Sequence, residues 1–204
     1  MKNLLLLLLL LNGFLLCAQS EEYTIQLNDT TFEIALDTEY SLSINGEVIT
    51  FKVTGKDTLV YEDDIYSFQY PKDFKVSKLK VDQGIEQVML LTAEGSGILI
   101  QQYSTMNPSM LNELMLNEVT KESLSYGYEM KREDYTRSLK SGQSIDVDKA
   151  VLNYKGETNI YEIASIGTKD EGILIMTMIM DETLSEQGKR IINMMWDSLI
   201  YKPE

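Results

Sequence analysis

Residues 173–180 read Ile-Leu-Ile-Met-Thr-Met-Ile-Met, and only Thr177 interrupts the apolar run. Successive side chains of a strand point to opposite faces. A strand of this composition is therefore apolar on both faces and belongs in the middle of a sheet covered on both sides. Met176, Met178 and Met180 share one of those faces. Three thioethers in line could hold Cu(I), but a metal site wants solvent access and a harder partner. The chain has no histidine and one cysteine, Cys17, which lies in a leader expected to be removed. The reading adopted is core filling: flexible thioethers meeting the aliphatic stripe of a helix. No metal and no cofactor is expected.

The remaining elements follow from turn and periodicity signals. Asn45-Gly46 suits a two-residue type I′ turn, whose central residues both need positive φ. It pairs Leu42 with Ile49, Tyr40 with Phe51 and Glu39 with Lys52. Thr31 to Leu36 alternates as a strand before it. Tyr66, Phe68 and Tyr70 share one face of a strand that Pro71 ends. A weaker strand over 74–81 is followed by stronger ones at 85–92 and 97–103, joined by a glycine-bearing loop. Asn107-Pro108 opens a first helix with the stripe Leu111, Leu114, Met115 and Val119, stopped near Gly127. Strands are expected around 128–139, 145–154, 158–168 and 173–180. A capping box, Thr183-Leu-Ser-Glu186, opens a last helix with the stripe Leu184, Ile191, Ile192, Met195 and Leu199.

Residues 1–20 read as a secretory leader, with Lys2, a leucine run and Ala18-Gln19-Ser20 at the cut. Leu16 is a poor residue to precede a lipoprotein cysteine, so a discarded leader is preferred to a lipid anchor at Cys17. Export to the periplasm or the exterior is expected. The apolar segment is shorter than the ~20 residues a membrane span needs. With 32 acidic against 18 basic residues the chain carries a formal charge of −14. Such a chain repels phosphate backbones and anionic lipid, which argues against nucleic-acid or membrane-surface partners.

Without histidine, Ser-His-Asp and Cys-His nucleophile systems and histidine-bearing zinc sites cannot be built. Two carboxylates would suffice for a glycosidase, but spacing selects no pair. Asp146 and Asp148 share a strand face opposite Ile145 and Val147, which strand alternation accounts for. Glu62-Asp63-Asp64 could offer oxygens to Ca²⁺, but no Asp-x-Asp-x-Asp-Gly loop accompanies it, and a solvated turn is preferred. Tyrosine joins a flat apolar body to a polar tip. Tyr61, Tyr66, Tyr70 and Tyr103, all near turns, are the ligand-binding candidates. Trp196 is assigned to packing.

Between about residues 62 and 202 the chain resembles the PsbP-like α/β/α sandwich superfamily. The residues that carry the resemblance are Tyr66-Ser-Phe-Gln-Tyr-Pro71 followed by Phe74, the central helix after a strand pair, Gly172-Ile-Leu-Ile-Met-Thr177, and Trp196-Asp-Ser-Leu199. That superfamily includes a photosystem accessory protein, nuclear import factors and many exported bacterial proteins. It shares no catalytic residue set. The resemblance implies binding or assembly duty rather than catalysis.

The expected fold is α+β: a largely antiparallel, twisted sheet flanked by helices over 62–204, with an added N-terminal β section at 21–61 after the leader at 1–20. The expected function is a non-enzymatic, exported protein-binding or assembly-accessory module with an envelope protein as partner, the 21–60 section presenting an edge strand. The alternatives are a small-ligand or Ca²⁺ binder and, behind it, a carboxylate-based hydrolase.

Overall fold

The computed structural model describes residues 22–27, 29–44 and 46–203. The expected leader, Cys17 and Asn45 lie outside the described residues. The chain divides into two units, Met1–Lys56 and Asp57–Glu204.

In the first unit, β1 (Glu22–Leu27) pairs with β2 (Thr30–Ala35), and β3 (Glu39–Ile44) pairs with β4 (Glu47–Lys52). Ile44 opposes Glu47, so the loop has two residues, and the pairings Leu42 with Ile49, Tyr40 with Phe51 and Glu39 with Lys52 follow. Gly46 has the φ of +87° that this turn demands. Tyr40 and Phe51 stack with ring centroids 5.8 Å apart. The two hairpins are tied where the chain passes between them: Tyr40 Oη accepts from Ala35 N at 2.8 Å, and Asp37 N donates to Val53 O at 2.8 Å.

The second unit begins with β5 (Thr58–Glu62) and β6 (Tyr66–Pro71), then β7 (Ser77–Asp82), β8 (Ile85–Leu91) and β9 (Gly97–Tyr103). A 3₁₀ turn, Pro108–Met110, leads into α1 (Asn112–Tyr126). There follow β10 (Glu129–Arg132), β11 (Tyr135–Ser138), β12 (Ser144–Tyr154), β13 (Glu157–Gly167), β14 (Gly172–Ile179), α2 (Glu186–Ser198) and β15 (Ile200–Tyr201). The large sheet runs β10-β12-β13-β14-β9-β8-β7, with β11 also on β12, and every pairing in it is antiparallel. This is the expected α+β class. A second sheet, β15-β6-β5, joins the local β5–β6 hairpin to β15, a strand nearly 130 residues further along the chain. The expected section boundary at 61/62 falls at the end of β5; that strand pairs with β6 and so stands with the larger unit.

β14 is the central strand, flanked by β13 and β9. Its Ile173 and Ile175 join one apolar layer, with Tyr66 and Phe68 of β6 and Ile191, Ile192, Met195 and Trp196 of α2. Its Leu174 and Met176 join the layer on the other face, with Leu116 of α1, Tyr161 and Ile163. Met178 and Met180 pack against that second layer, and Tyr161 Oη donates to the Met180 sulfur at 3.6 Å. The thioethers therefore fill a core. Burial of both faces at about 25 cal/mol per Å² is the main favourable contribution to the fold.

The helix stripes differ from those expected at one position each. Leu114 is 63% exposed, while Leu116 and Thr120 are buried. The 3₁₀ turn delays α1 until Asn112, and at roughly 100° per residue Leu114 lies about 200° from Leu116. Leu184 is 75% exposed because it precedes α2. The capping box does not form. Thr183 Oγ1 donates to Asp181 Oδ1 at 2.6 Å, and the N-cap is Ser185. The Ser185 hydroxyl bonds to Met180 O and lies 2.8 Å from Ser96 Oγ, which also accepts from Met180 N at 2.8 Å.

Candidate functional site

Beside the first turn of α1 the sheet face is left open. The 3₁₀ turn is seated on the end of the β13–β14 hairpin, where Asn107 caps it by accepting from Ser109 N at 2.9 Å. Pro108 lies so close to Gly167 and Gly172 that a Cβ on either would meet its Cδ, at 3.0 and 2.6 Å. Glycine at both positions permits that contact. Next to it opens a cleft of about 500 Å³ lined by Ser109, Asn112, Glu113, Asp146, Asp148 and Ser165, among others. Asp146 and Asp148 reach it by strand alternation, since Ile145 and Val147 of β12 point into the opposite apolar layer.

Hydrogen bonds fix the walls. Ser165 Oγ donates to Asn112 Oδ1 at 2.5 Å, joining β13 to α1. Thr136 Oγ1 donates to Asp146 Oδ1 at 2.9 Å. Arg132 gathers the carboxylates: it holds Asp134 through Nε and Nη2 at 3.0 and 3.1 Å, Glu113 through Nη1 at 2.9 Å, and Asp148 at 3.6 Å. Asp134 is held below the ordinary carboxylate range; burial opposes this, but the bonds from Arg132 and from Lys149 N outweigh it. Asp148 moves the other way. Burial raises its pKa, and Asp134, Glu113 and Asp146 add to the rise against the pull of Arg132. The cleft thus presents carboxylates and small hydroxyls, chemistry that suits a polar or cationic guest. Among the described residues no group of three or more Asp or Glu is placed to hold a metal ion.

The four tyrosine candidates do not form one surface. Tyr61, Tyr66 and Tyr70 stand together with Phe68, ring centroids 5.3 to 6.3 Å apart, in the layer beneath α2. Tyr66 is buried, and burial followed by its neighbours Tyr61 and Asp63 pushes its pKa up. Tyr61 Oη donates to Asp63 Oδ2 at 2.7 Å; burial, then that bond, pushes its pKa up to about 12. Tyr103 belongs to the layer on the other face of the sheet, where its hydroxyl donates to Gln101 Oε1 at 2.8 Å. Glu62 and Asp63 turn to different cations, Lys202 at 2.9 Å and Lys78 at 2.8 Å, and so do not converge on a shared ion. Trp196 is buried in the α2 layer and donates through Nε1 to Glu162 Oε2 at 3.3 Å.

The first unit carries a different kind of cleft. Ile25 and Leu27 of β1 and Leu42, Ile49 and Phe51 of β3 and β4 line a space of about 300 Å³ that no polar side chain enters. Ile49 is itself substantially exposed, as is Val48, at 72%. Alternation puts the cleft residues on one face of each hairpin, and the Asn45-Gly46 register was the signal for that face. The guanidinium of Arg132 and the carboxyl of Glu113 gave no comparable signal, because they meet Asp148 only through the tertiary fold.

The molecule is therefore an α+β protein with a two-sided antiparallel sheet, a polar cleft at the start of one helix and a separate apolar cleft between two N-terminal hairpins. No protein-family model matches the chain, and no curated protein matches it. Among solved structures it is similar to cyanobacterial PsbP (CyanoP) from Synechocystis sp. PCC 6803, at 12% identity and a TM-score of 0.45, over 71% of this chain and 92% of that chain. A likeness of that degree says nothing about ligand or partner. No helix among the described residues is long and apolar enough to cross a membrane.

Proposed function

We propose that the chain is an exported, non-catalytic binding module that holds an extended segment of an envelope protein in the cleft between its N-terminal hairpins. The observation that carries this reading is the wholly apolar lining of that cleft, Ile25, Leu27, Leu42, Ile49 and Phe51. An exposed apolar concavity is a common mark of a protein-binding surface. The hairpins are two-stranded, so each strand keeps an edge that can accept another strand. A two-stranded hairpin is also marginal alone and gains from a third strand. Residues 22–56 hold six carboxylates and two lysines. The matching segment alternates apolar residues with lysine or arginine.

The test is photo-crosslinking from position 27 in intact cells, followed by binding of the purified crosslinked protein to the wild-type chain and to Leu42→Glu and Ile49→Glu. Both variants should bind at least about tenfold more weakly, the expected order for losing a buried anchor. Equal binding by wild type and variants would exclude the cleft as the docking site.

The polar cleft at α1 supports a second reading, a small polar or cationic ligand held by Asp146, Asp148 and Ser165. Thermal-shift screening with sugars and amines separates the two. A shift abolished by Asp146→Asn would favour the small ligand.

A further inference from the structure

A third cleft lies on the outer side of α2, in a setting that the net charge of −14 does not foreshadow. It has a volume of about 440 Å³, and its lining includes Gln69, Lys140, Arg190, Asn193, Met194 and Asp197. The helix supplies Arg190, Asn193, Met194 and Asp197, a spacing of three, four and seven that puts them on one face. The other walls are tied to the helix end. Gln69 N donates to Ser198 Oγ at 2.7 Å, and Lys140 N donates to Leu199 O at 3.1 Å. The backbone that frames the cleft is therefore held in place.

We infer that this cleft binds a carboxylate that carries an aliphatic group. Arg132 and Arg137 are both bonded to carboxylates. Among the described residues the Arg190 guanidinium has no such partner, and neither has the Lys140 ammonium. Asp197, the one acid in the cleft, is matched by Arg137 at 2.8 Å. Two cations are thus left without an anion, in a lining that also includes Gln69 and Asn193. A guanidinium fork fits a carboxylate with two parallel bonds. The apolar flank of Met194 gives the rest of the ligand a surface that inorganic anions cannot use. This site is independent of the N-terminal cleft and of the cleft at α1.

The experiment is calorimetric titration of the full chain at low ionic strength with acetate, hexanoate and inorganic phosphate. A short peptide ending in leucine, with a free or an amidated terminus, is added as a fourth probe. Hexanoate should bind about tenfold or more tightly than acetate, because it alone reaches the apolar flank. The free peptide should bind and the amidated one should not. Whether hexanoate or the peptide binds better identifies the source of the carboxylate, and either order supports the site. Arg190→Gln should weaken binding about tenfold or more, with an unchanged unfolding midpoint. Arg190→Lys should weaken it less. The inference is overturned by phosphate binding as tightly as hexanoate, by the amidated peptide binding like the free one, by Arg190→Gln binding like wild type, or by no saturable binding at all.

Discussion

Gly188 of α2 lies against Ser96 of the β8–β9 loop so closely that a Cβ at 188 would stand 2.4 Å from the Ser96 Cβ. Ser96 cannot readily retreat, since its hydroxyl is engaged by Met180 N and Ser185. Gly188→Ala gains about 1 kcal/mol of helix propensity but forces α2 off the sheet, at a cost of about 1–3 kcal/mol from overpacking. Urea unfolding should give a lower midpoint for the variant, partly restored when Ser96→Gly is added. A higher midpoint for Gly188→Ala alone would show that the helix has room there.

Ile192 is 4% exposed, in the layer that α2 shares with β14 and β6. Ile192→Asp places a carboxylate among apolar neighbours with nothing to pair it, at a cost of about 4 kcal/mol or more. Leu184→Asp, two residues before the same helix, should change stability by no more than about 0.5 kcal/mol. Thermal melts of the pair decide the matter. Equal losses would mean that α2 presents a different face from the one described.

Glu162 accepts from Tyr135 Oη at 3.0 Å, Thr177 Oγ1 at 3.1 Å and Trp196 Nε1 at 3.3 Å. Glu162→Leu strands these donors beneath α2, and a stranded buried donor costs about 1–3 kcal/mol. Thr177→Val removes one donor and should cost less. Trp196 is the only tryptophan, so its emission should shift in native Glu162→Leu and stay in place in Leu114→Thr, an exposed position on α1 at the other face of the sheet.

Asp148 should destabilise the fold at neutral pH. Its folded pKa is raised by burial, so the folded state binds this proton more tightly than the unfolded chain. The penalty grows as pH rises from the ordinary value of 3.8 through the higher folded value, and is complete above it. Asp148→Asn should therefore melt higher than wild type at pH 7, with the advantage fading as pH falls to the ordinary value and below. A variant that melts lower at pH 7 would show that Arg132 and the other groups around Asp148 depend on its charge.

Short-range chemistry was the part of this fold most legible in the sequence. Asn45-Gly46 predicts a two-residue turn, and the register that such a turn dictates is the one in which β3 and β4 face each other. The apolar run of β14 implies cover on both faces because no other placement buries Ile173 and Leu174 together. Helix phase was harder to read. Leu114 and Leu184 satisfied the spacing, but a 3₁₀ turn and a late helix start set the true phase, and Leu116 took the central position. The sheet β15-β6-β5 was not legible, since a two-residue strand carries no periodicity. The clefts were legible least. Gln69, Lys140 and Arg190 are ordinary surface residues until β6, the turn after β11 and α2 meet.

The placement of α2 and β15 has a consequence for how the larger unit is made. Residues 186–201 supply Ile191, Ile192, Met195, Trp196, Leu199 and Tyr201 to the layer over Ile173 and Ile175. Until residues 186–201 fold back, the sheet keeps one oily side wet. That side closes when β15 arrives beside Tyr66, and up to then the chain stays open to chaperones.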